Sequence, residues 1–419
     1  MVNSFQKYLL AFALCVAADP VCFPIDTSTR IFDSEARSLS LRNPDSFIAP
    51  PVIRLGTEDH LLINFDIIGD SHEYLRYRLL HCNADWQPSQ LLEPEYTGGF
   101  NEGEITDYAY SSNTYVHYVN YNLEIPNEDM KPLVSGNYLL VVYPEGNYDS
   151  VILQQRFYVS ENAVAIDGKV SGRTDRGFNT EFQQLEFAVD AAMTERINPY
   201  QDLVVTITQN NRPETMRELR HPLRVEGGSV VYSHMPELVF RAGNEYRRFE
   251  TVRTDYPGMN VDSVKFGENN WHTWLMQDES RVEKDYNFDI TQHGRFKIDE
   301  YSADDPDLGA DYVTVHFTLD IPEVIGADVY IDGDFALHQF NDFNKMRFDH
   351  DRGLYTAEIP LKQGSYNYQY VIASKNKSAD PSPIEGDKYE TGNEYLVCVY
   401  FRKPGSRADR LIGTALIQQ

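Results

Sequence analysis

Short apolar and aromatic runs, each closed by Gly, Pro, Asn or Asp, divide this chain from end to end, and that punctuation restricts it to β structure. No segment keeps the 3.6-residue period of an amphipathic helix for more than a few turns. Residues 61–68 form an apolar run that follows the turn 56–60. Residues 136–143 lead into Pro144-Glu145-Gly146-Asn147, and 151–159 return as the hairpin partner. Over 115–123, Tyr115, His117, Val119 and Tyr121 fall on one side at period two. With 28 Tyr and 22 Phe, the chain is rich in side chains that favour strands over helix bundles.

The runs gather into three blocks. After a polar lead-in at 27–43, the first block places strands at 52–55, 61–68, 74–81, 115–123, 136–143 and 151–159. The second spans 164–300, with strands at 185–191, 203–209, 230–235, 247–253 and 271–276. The stretch 301–311 reads as a linker or long loop. The third block, 311–419, has strands at 312–319, 328–335, 353–361, 364–372 and 394–402. Strands spaced about 8–20 residues apart with turns between them predict sandwiches. The expected fold is all-β: three consecutive antiparallel β-sandwich domains of immunoglobulin or fibronectin kind, at 27–160, 164–300 and 311–419.

Lys7 followed by the apolar run 8–18 predicts a secretory signal peptide at 1–18, with Val16-x-Ala18 as the cleavage site. Neither Cys15 nor Cys22 follows a lipobox, so export without a lipid anchor is expected. No other apolar stretch approaches the ~18 residues of a spanning helix, so no direct membrane insertion is expected. Cleavage leaves Cys22, Cys82 and Cys398, an odd number without a Cys-x-x-Cys pair, which predicts buried thiols and neither a disulfide framework nor structural zinc.

The formal net charge of −27 repels nucleic-acid phosphates and anionic membranes and excludes nucleic acid as an expected partner. Residues 26–163 carry 21 Asp and Glu against eight Lys and Arg, a balance of −13, which makes this block the expected contact surface for a partner. The sequence holds no His-Glu-x-x-His, Gly-x-Ser-x-Gly, Walker loop or Gly-x-Gly-x-x-Gly. Asp304, Asp305, Asp307 and Asp311 lack the spacing and closing Glu of a calcium loop. No catalysis, cofactor or metal is therefore expected.

One stretch, His81-Cys82-Asn83-Ala84-Asp85-Trp86, mixes side chains that catalysis uses. Adjacent strand residues point to opposite faces, so His81 and Cys82 diverge and make a poor base and nucleophile. A strand that ends near Cys82, with Asn83 and Asp85 in a turn, Trp86 folded back and Pro88 opening the next loop, accounts for the same residues.

Taken with its neighbours, the stretch 77–89 resembles the signature of the plug proteins of the type IX secretion system. Residues 96–102 (Tyr-Thr-Gly-Gly-Phe-Asn-Glu), 135–138 (Ser-Gly-Asn-Tyr), 156–159 (Arg-Phe-Tyr-Val), 384–395 and 407–413 are similar to further segments of that family. The resemblance implies a periplasmic protein, monomeric within its complex, whose partner is the giant outer-membrane β-barrel translocon. It would cap that barrel from below. It implies that His81, Cys82, Asn83, Asp85, Trp86 and Pro88 form a family motif of structural kind, and it assigns no partner-binding residues. A second resemblance lies in the third block. Residues 329–335 and Gly364-x-Tyr366-x-Tyr368-x-Tyr370 are similar to the immunoglobulin-like, glycogen-binding modules of starch and glycogen enzymes. That likeness implies an exported carbohydrate-binding protein as the alternative. The stretch 336–339, Ala-Leu-His-Gln, lacks the sugar-stacking Trp of those modules, and Tyr366, Tyr368 and Tyr370 are expected in the core or at an interface.

Overall fold

Strand pairing sorts the described residues into three large hydrophobic cores, each between two sheets. The structure is a computed structural model and describes residues 26–44, 46–190, 197–374 and 377–419. The expected signal peptide at 1–18, with Cys15 and Cys22, lies outside the described residues.

In the first domain, one sheet runs Arg30–Ile31, Leu153–Ser160, Gly136–Pro144, Leu75–Cys82, Gly103–Ile105, with Val52–Arg54 parallel to Leu153–Ser160. The facing sheet runs Ala36–Arg42, Leu61–Ile68, Tyr118–Ile125, Asp107–Tyr110. Phe65, Tyr77, Tyr121, Tyr138 and Phe157 fill the space between them. The strand Ala36–Arg42 lies where a polar lead-in was expected. A bulge between Arg37 and Ser40, with Ser38 at φ 53°, breaks its period-two pattern and hides the strand. The 115–123 alternation also shifts. The strand begins at Tyr118, and Tyr118, Val119, Asn120 and Tyr121 are all buried because both faces of its first half are covered.

The second and third sandwiches are not consecutive. One middle-domain sheet is Ala165–Ser171, Phe182–Asp190, Ser229–Tyr232, Arg224–Glu226. Its partner sheet is Arg217–Leu219, Leu203–Gln209, Glu394–Phe401, Arg410–Gln418. Thus the last two strands of the chain complete the middle sandwich, and Tyr395, Val397, Val399, Ile412 and Ile417 stand in its core. The third sandwich is inserted between them. It takes Arg247–Glu250, Val261–Phe266, Trp271–Leu275 and Phe296–Ile298, which sequence spacing placed in the middle block, and joins them to Tyr312–Asp320, Asp328–Asp332, Leu354–Lys362 and Gly364–Ser374. Sheet and core membership therefore divides the chain differently from the expected 164–300 and 311–419. The physical reason is that period two tells which side of a strand is buried and nothing about its partner. The 301–311 stretch is a loop inside the third sandwich with a single helical turn, Pro306–Gly309, capped by Asp305.

Because Glu394–Phe401 is a central strand of the middle sheet, ending the chain at residue 390 should unfold the middle domain. Limited proteolysis of that truncation is expected to cut within 164–240, where the intact chain resists. Equal resistance of both proteins would contradict the strand assignment.

Candidate functional site: the three-domain junction

Each pair of domains is joined by buried polar groups, and the three seams meet around a central cavity. Between the first and third domains, Asp66 and Lys362 are almost fully buried and form an ion pair at 2.7 Å. Asp66 sits on the outer face of Leu61–Ile68, opposite core residues Phe65 and Ile67, and Lys362 ends the strand Leu354–Lys362. Tyr312 Oη donates to the same Asp66 oxygen at 2.6 Å, and Asn120 Nδ2 donates to the other at 2.8 Å. The Lys362 ammonium also donates to the Asp307 carbonyl at 2.7 Å and lies 4.0 Å from the centre of the Tyr118 ring. Burial pulls the Lys362 pKa below the ordinary lysine value, against the opposing pull of Asp66. At the rim, Arg42 grips Asp307 through both carboxylate oxygens, at 2.6 and 2.8 Å. Burial raises the Asp307 pKa, but hydrogen bonding to Arg42 together with the positive charges of Arg42 and Lys362 outweighs it, and the net direction is down. Asp311 accepts from the backbone N–H groups of Tyr115 and Val116. Asp305, Asp307 and Asp311 are thus engaged by N–H donors and a guanidinium.

The stretch 81–88 lies where the first domain meets the middle one. His81 is buried, with Nε2 3.1 Å from the Ser135 carbonyl. A Cβ on Gly136 would stand 2.3 Å from that His81 nitrogen, and Gly136 has φ 149°, so 135–138 needs its glycine for the His81 ring. Cys82 is a free buried thiol with its pKa pushed up to about 12 by burial, and its backbone pairs with Pro88 in an isolated antiparallel β-bridge. Neutral pH therefore leaves it protonated and unreactive. Asn83 and Trp86 close a backbone turn, the Asp85 carboxylate accepts from Gln87 N–H at 3.0 Å, and Trp86 takes φ 62°. Trp86 lies under the Arg156 guanidinium, 4.3 Å from its ring centre, and edge-on to Tyr158.

The closing segment meets this turn. Asn83 Oδ1 accepts from Asp409 N–H at 3.1 Å, and the Asp409 carboxylate accepts from Ala84 N–H at 3.0 Å. Tyr400 Oη donates to Asn137 at 2.7 Å, Arg410 pairs with Glu161, and Arg407 pairs with Glu95. Segments 77–89, 96–102, 135–138, 156–159 and 407–413, far apart in sequence, therefore converge in and around one seam.

One loop of the third domain contacts both of the others. His338, buried and left-handed at φ 51°, is held between Asp332 and Asp334, each at 2.9 Å. Asp332 lies 3.9 Å from the buried Arg212 of the middle domain. Leu337 packs on the first domain's core and Gln339 donates to the Thr29 carbonyl. Arg295 pairs with the buried Glu394, and Arg241 with Asp387, tying the third domain to the middle one. At the centre is a cavity of about 270 Å³, lined by Leu39, Trp86, Met216, Phe296, Leu337 and Leu416 among others. Tyr366, Tyr368 and Tyr370 are buried in the third core, with Tyr368 and Tyr370 donating to Asp278, and offer no platform for a sugar. Sequence reasoning passed over Asp66, Lys362, Arg212 and His338. Their partners lie on other strands or domains, and the one local sign was a charged residue ending an apolar strand at Lys362.

The fold and its junction define an all-β protein of three sandwiches fastened to one another by buried polar groups. Residues 36–161 match the family model described as type 9 secretion system plug protein 1st domain, so the first sandwich is a domain of the type IX secretion system plug family. A crystal structure of a hypothetical protein from Parabacteroides merdae is 37% identical, with a TM-score of 0.91 over 94% of this chain and 99% of that one, so the two share the whole three-domain fold. A putative membrane anchored protein from Corynebacterium diphtheriae (8% identity, 91% of each chain) and dimeric latent PorU from Porphyromonas gingivalis (11%, 91% of this chain and 34% of that one) each give a TM-score of 0.14, which carries no argument. No curated protein matches the chain.

Lys362→Met leaves Asp66 charged and buried without its ammonium and is expected to cost about 3–5 kcal/mol in urea unfolding. The double variant Asp66→Asn/Lys362→Met strands no charge and should be less destabilised. Equal losses in both would show that the pair does not hold the seam. Burial alone would lower the His338 pKa, but Asp332 and Asp334 raise it well above the ordinary imidazole value. A raised folded pKa gives stability that is complete below the unfolded value, about 6.5, and is lost as pH rises toward and through the folded one. His338→Gln should therefore be less stable at neutral pH and lose stability less steeply than the parent on alkaline titration. Parallel stability–pH curves would refute this.

Proposed function

We propose that this chain is the periplasmic plug of a type IX secretion system, a non-catalytic protein that binds the periplasmic end of the giant outer-membrane β-barrel translocon and blocks its channel when no cargo is in transit. The observation that carries this reading is the match of residues 36–161 to the first domain of the plug family. Physical argument supports the rest. Barrel lumens widen with strand number, and large barrels enclose aqueous channels that leak unless obstructed. A folded chain of about 400 residues has a radius of gyration of roughly 21 Å, enough to cover such a mouth. A stopper must also resist deformation, and seams built on Asp66–Lys362, Asp409–Asn83 and Arg295–Glu394 supply that resistance. The acidic first domain is the contact face we favour, with Glu58, Asp107, Glu128 and Asp129 among its exposed acids.

The test is an affinity pull-down of the tagged mature protein from the detergent-solubilised envelope of a bacterium that carries the system, with bound proteins identified by mass. Recovery of a very large outer-membrane barrel without its surface partner is expected. Recovery of no barrel, with retention on α-glucan resin, would overturn the plug reading in favour of carbohydrate binding.

A further inference from the structure

We propose that His272 and His316, on the solvent-facing side of the third domain, form a binding site for a late first-row transition-metal ion, copper above zinc, held between two imidazole nitrogens with water completing its coordination. The two residues stand on neighbouring parallel strands, Trp271–Leu275 and Tyr312–Asp320, where Trp274 pairs with His316 and His272 with Thr314. This diagonal register brings His272 Nδ1 to 2.8 Å from His316 Nε2. The ring planes differ by 28° with centres 5.1 Å apart, so the rings lie edge to edge and nearly coplanar, their nitrogens facing. A metal ion binds an imidazole in the ring plane, which is where this geometry would place it. Metal–nitrogen distances of about 2.0–2.1 Å require the nitrogens to part to no more than about 4 Å.

Three neighbours prepare the pair. Glu358, directly opposite His316 on Leu354–Lys362, lies 3.4 Å from His316 Nδ1. A carboxylate there favours the proton on Nδ1 and leaves Nε2 with its lone pair toward His272, as carboxylates do behind metal-bound histidines. The Trp274 indole lies flat under His316, with centres 4.4 Å apart and planes 8° apart, and extends beneath His272 at 5.7 Å. Gly267 gives the His272 ring its space, since a Cβ there would come within 2.7 Å of it. When His272 carries its proton on Nε2, both facing nitrogens present lone pairs. Imidazole ligands suit copper, nickel and zinc, and the order of stability puts copper(II) first.

The test is a titration of the mature protein with copper(II) alone, following tryptophan emission. Trp274 stacks on a ligating ring, so paramagnetic copper should quench it with saturation at one equivalent, and removal of the copper with EDTA should restore the emission. The double variant His272→Ala/His316→Ala should lose the saturable phase, as should His272→Ala alone, with unchanged near-ultraviolet circular dichroism as the check on folding. Glu358→Gln should weaken binding about tenfold. No saturable quenching in the parent, or the same curve in the folded double variant, overturns the site.

Discussion

The arrangement of the three domains depends on a charge that neither of two domains can bury alone. In a separated first domain, Asp66 would sit on an open sheet face, and in a separated third domain Lys362 would end an edge in water. Closing the seam removes both from solvent, and that desolvation is offset only if every valence is met. Tyr312 and Asn120 supply the remaining donors to Asp66, while Lys362 finds the Asp307 carbonyl and the Tyr118 ring. These groups come from five different segments, so a small rotation of one domain on the other would break several bonds together. Apolar contact tolerates sliding; a fully satisfied buried ion pair does not. The pair therefore fixes an orientation more than it adds stability.

The middle domain imposes a second constraint of covalent origin. Its sheet pairs Leu203–Gln209 with Glu394–Phe401, and the third sandwich lies in the connection between them. The chain leaves the middle domain near residue 243 and returns near 392. Along the return path Lys388 N–H donates to the Gly243 carbonyl and Arg241 pairs with Asp387. Two crossings bound side by side restrict hinge motion far more than one linker would. The buried Arg212–Asp332–His338 chain then sits behind the double crossing, where bending would have to strand a charge.

How much of this was legible in the sequence follows from the range of each interaction. Runs such as Leu61–Ile68 and Leu203–Gln209 declare themselves, because alternation, β-branching and terminal turns are local properties. The turn after Cys82 was legible for the same reason, since the Asn83 backbone and the Asp85 carboxylate bond within a few residues, although the Asn83 side chain turns instead to Asp409. The Ala36–Arg42 strand was not, since its bulge puts two residues where one is expected. The division of the middle and third domains was not either, because Trp271–Leu275 reads alike whichever sheet receives it. The junction was the least legible part. Asp66 and Lys362 are 296 positions apart, and each alone reads as an ordinary surface charge. The family segments were visible as strings. Their meeting through Gly136 against His81, and Asn83 against Asp409, exists only in three dimensions.

These features put the rigidity of the molecule at its seams. The middle of the junction is a cavity of about 270 Å³, far from the close packing of the three sandwich cores around it. A body held at its perimeter by charge pairs and open at its centre resists bending strongly, because bending must first strand a charge, yet gains little from compression of its interior. Relatives of this fold could therefore vary the cavity-lining apolar residues with little effect on domain orientation. Changes at Asp66, Lys362, Asp409 or His338 would act on the orientation directly. The separation has a structural consequence: the outline of the molecule is set by a few polar contacts, while each sandwich remains free to change its loops.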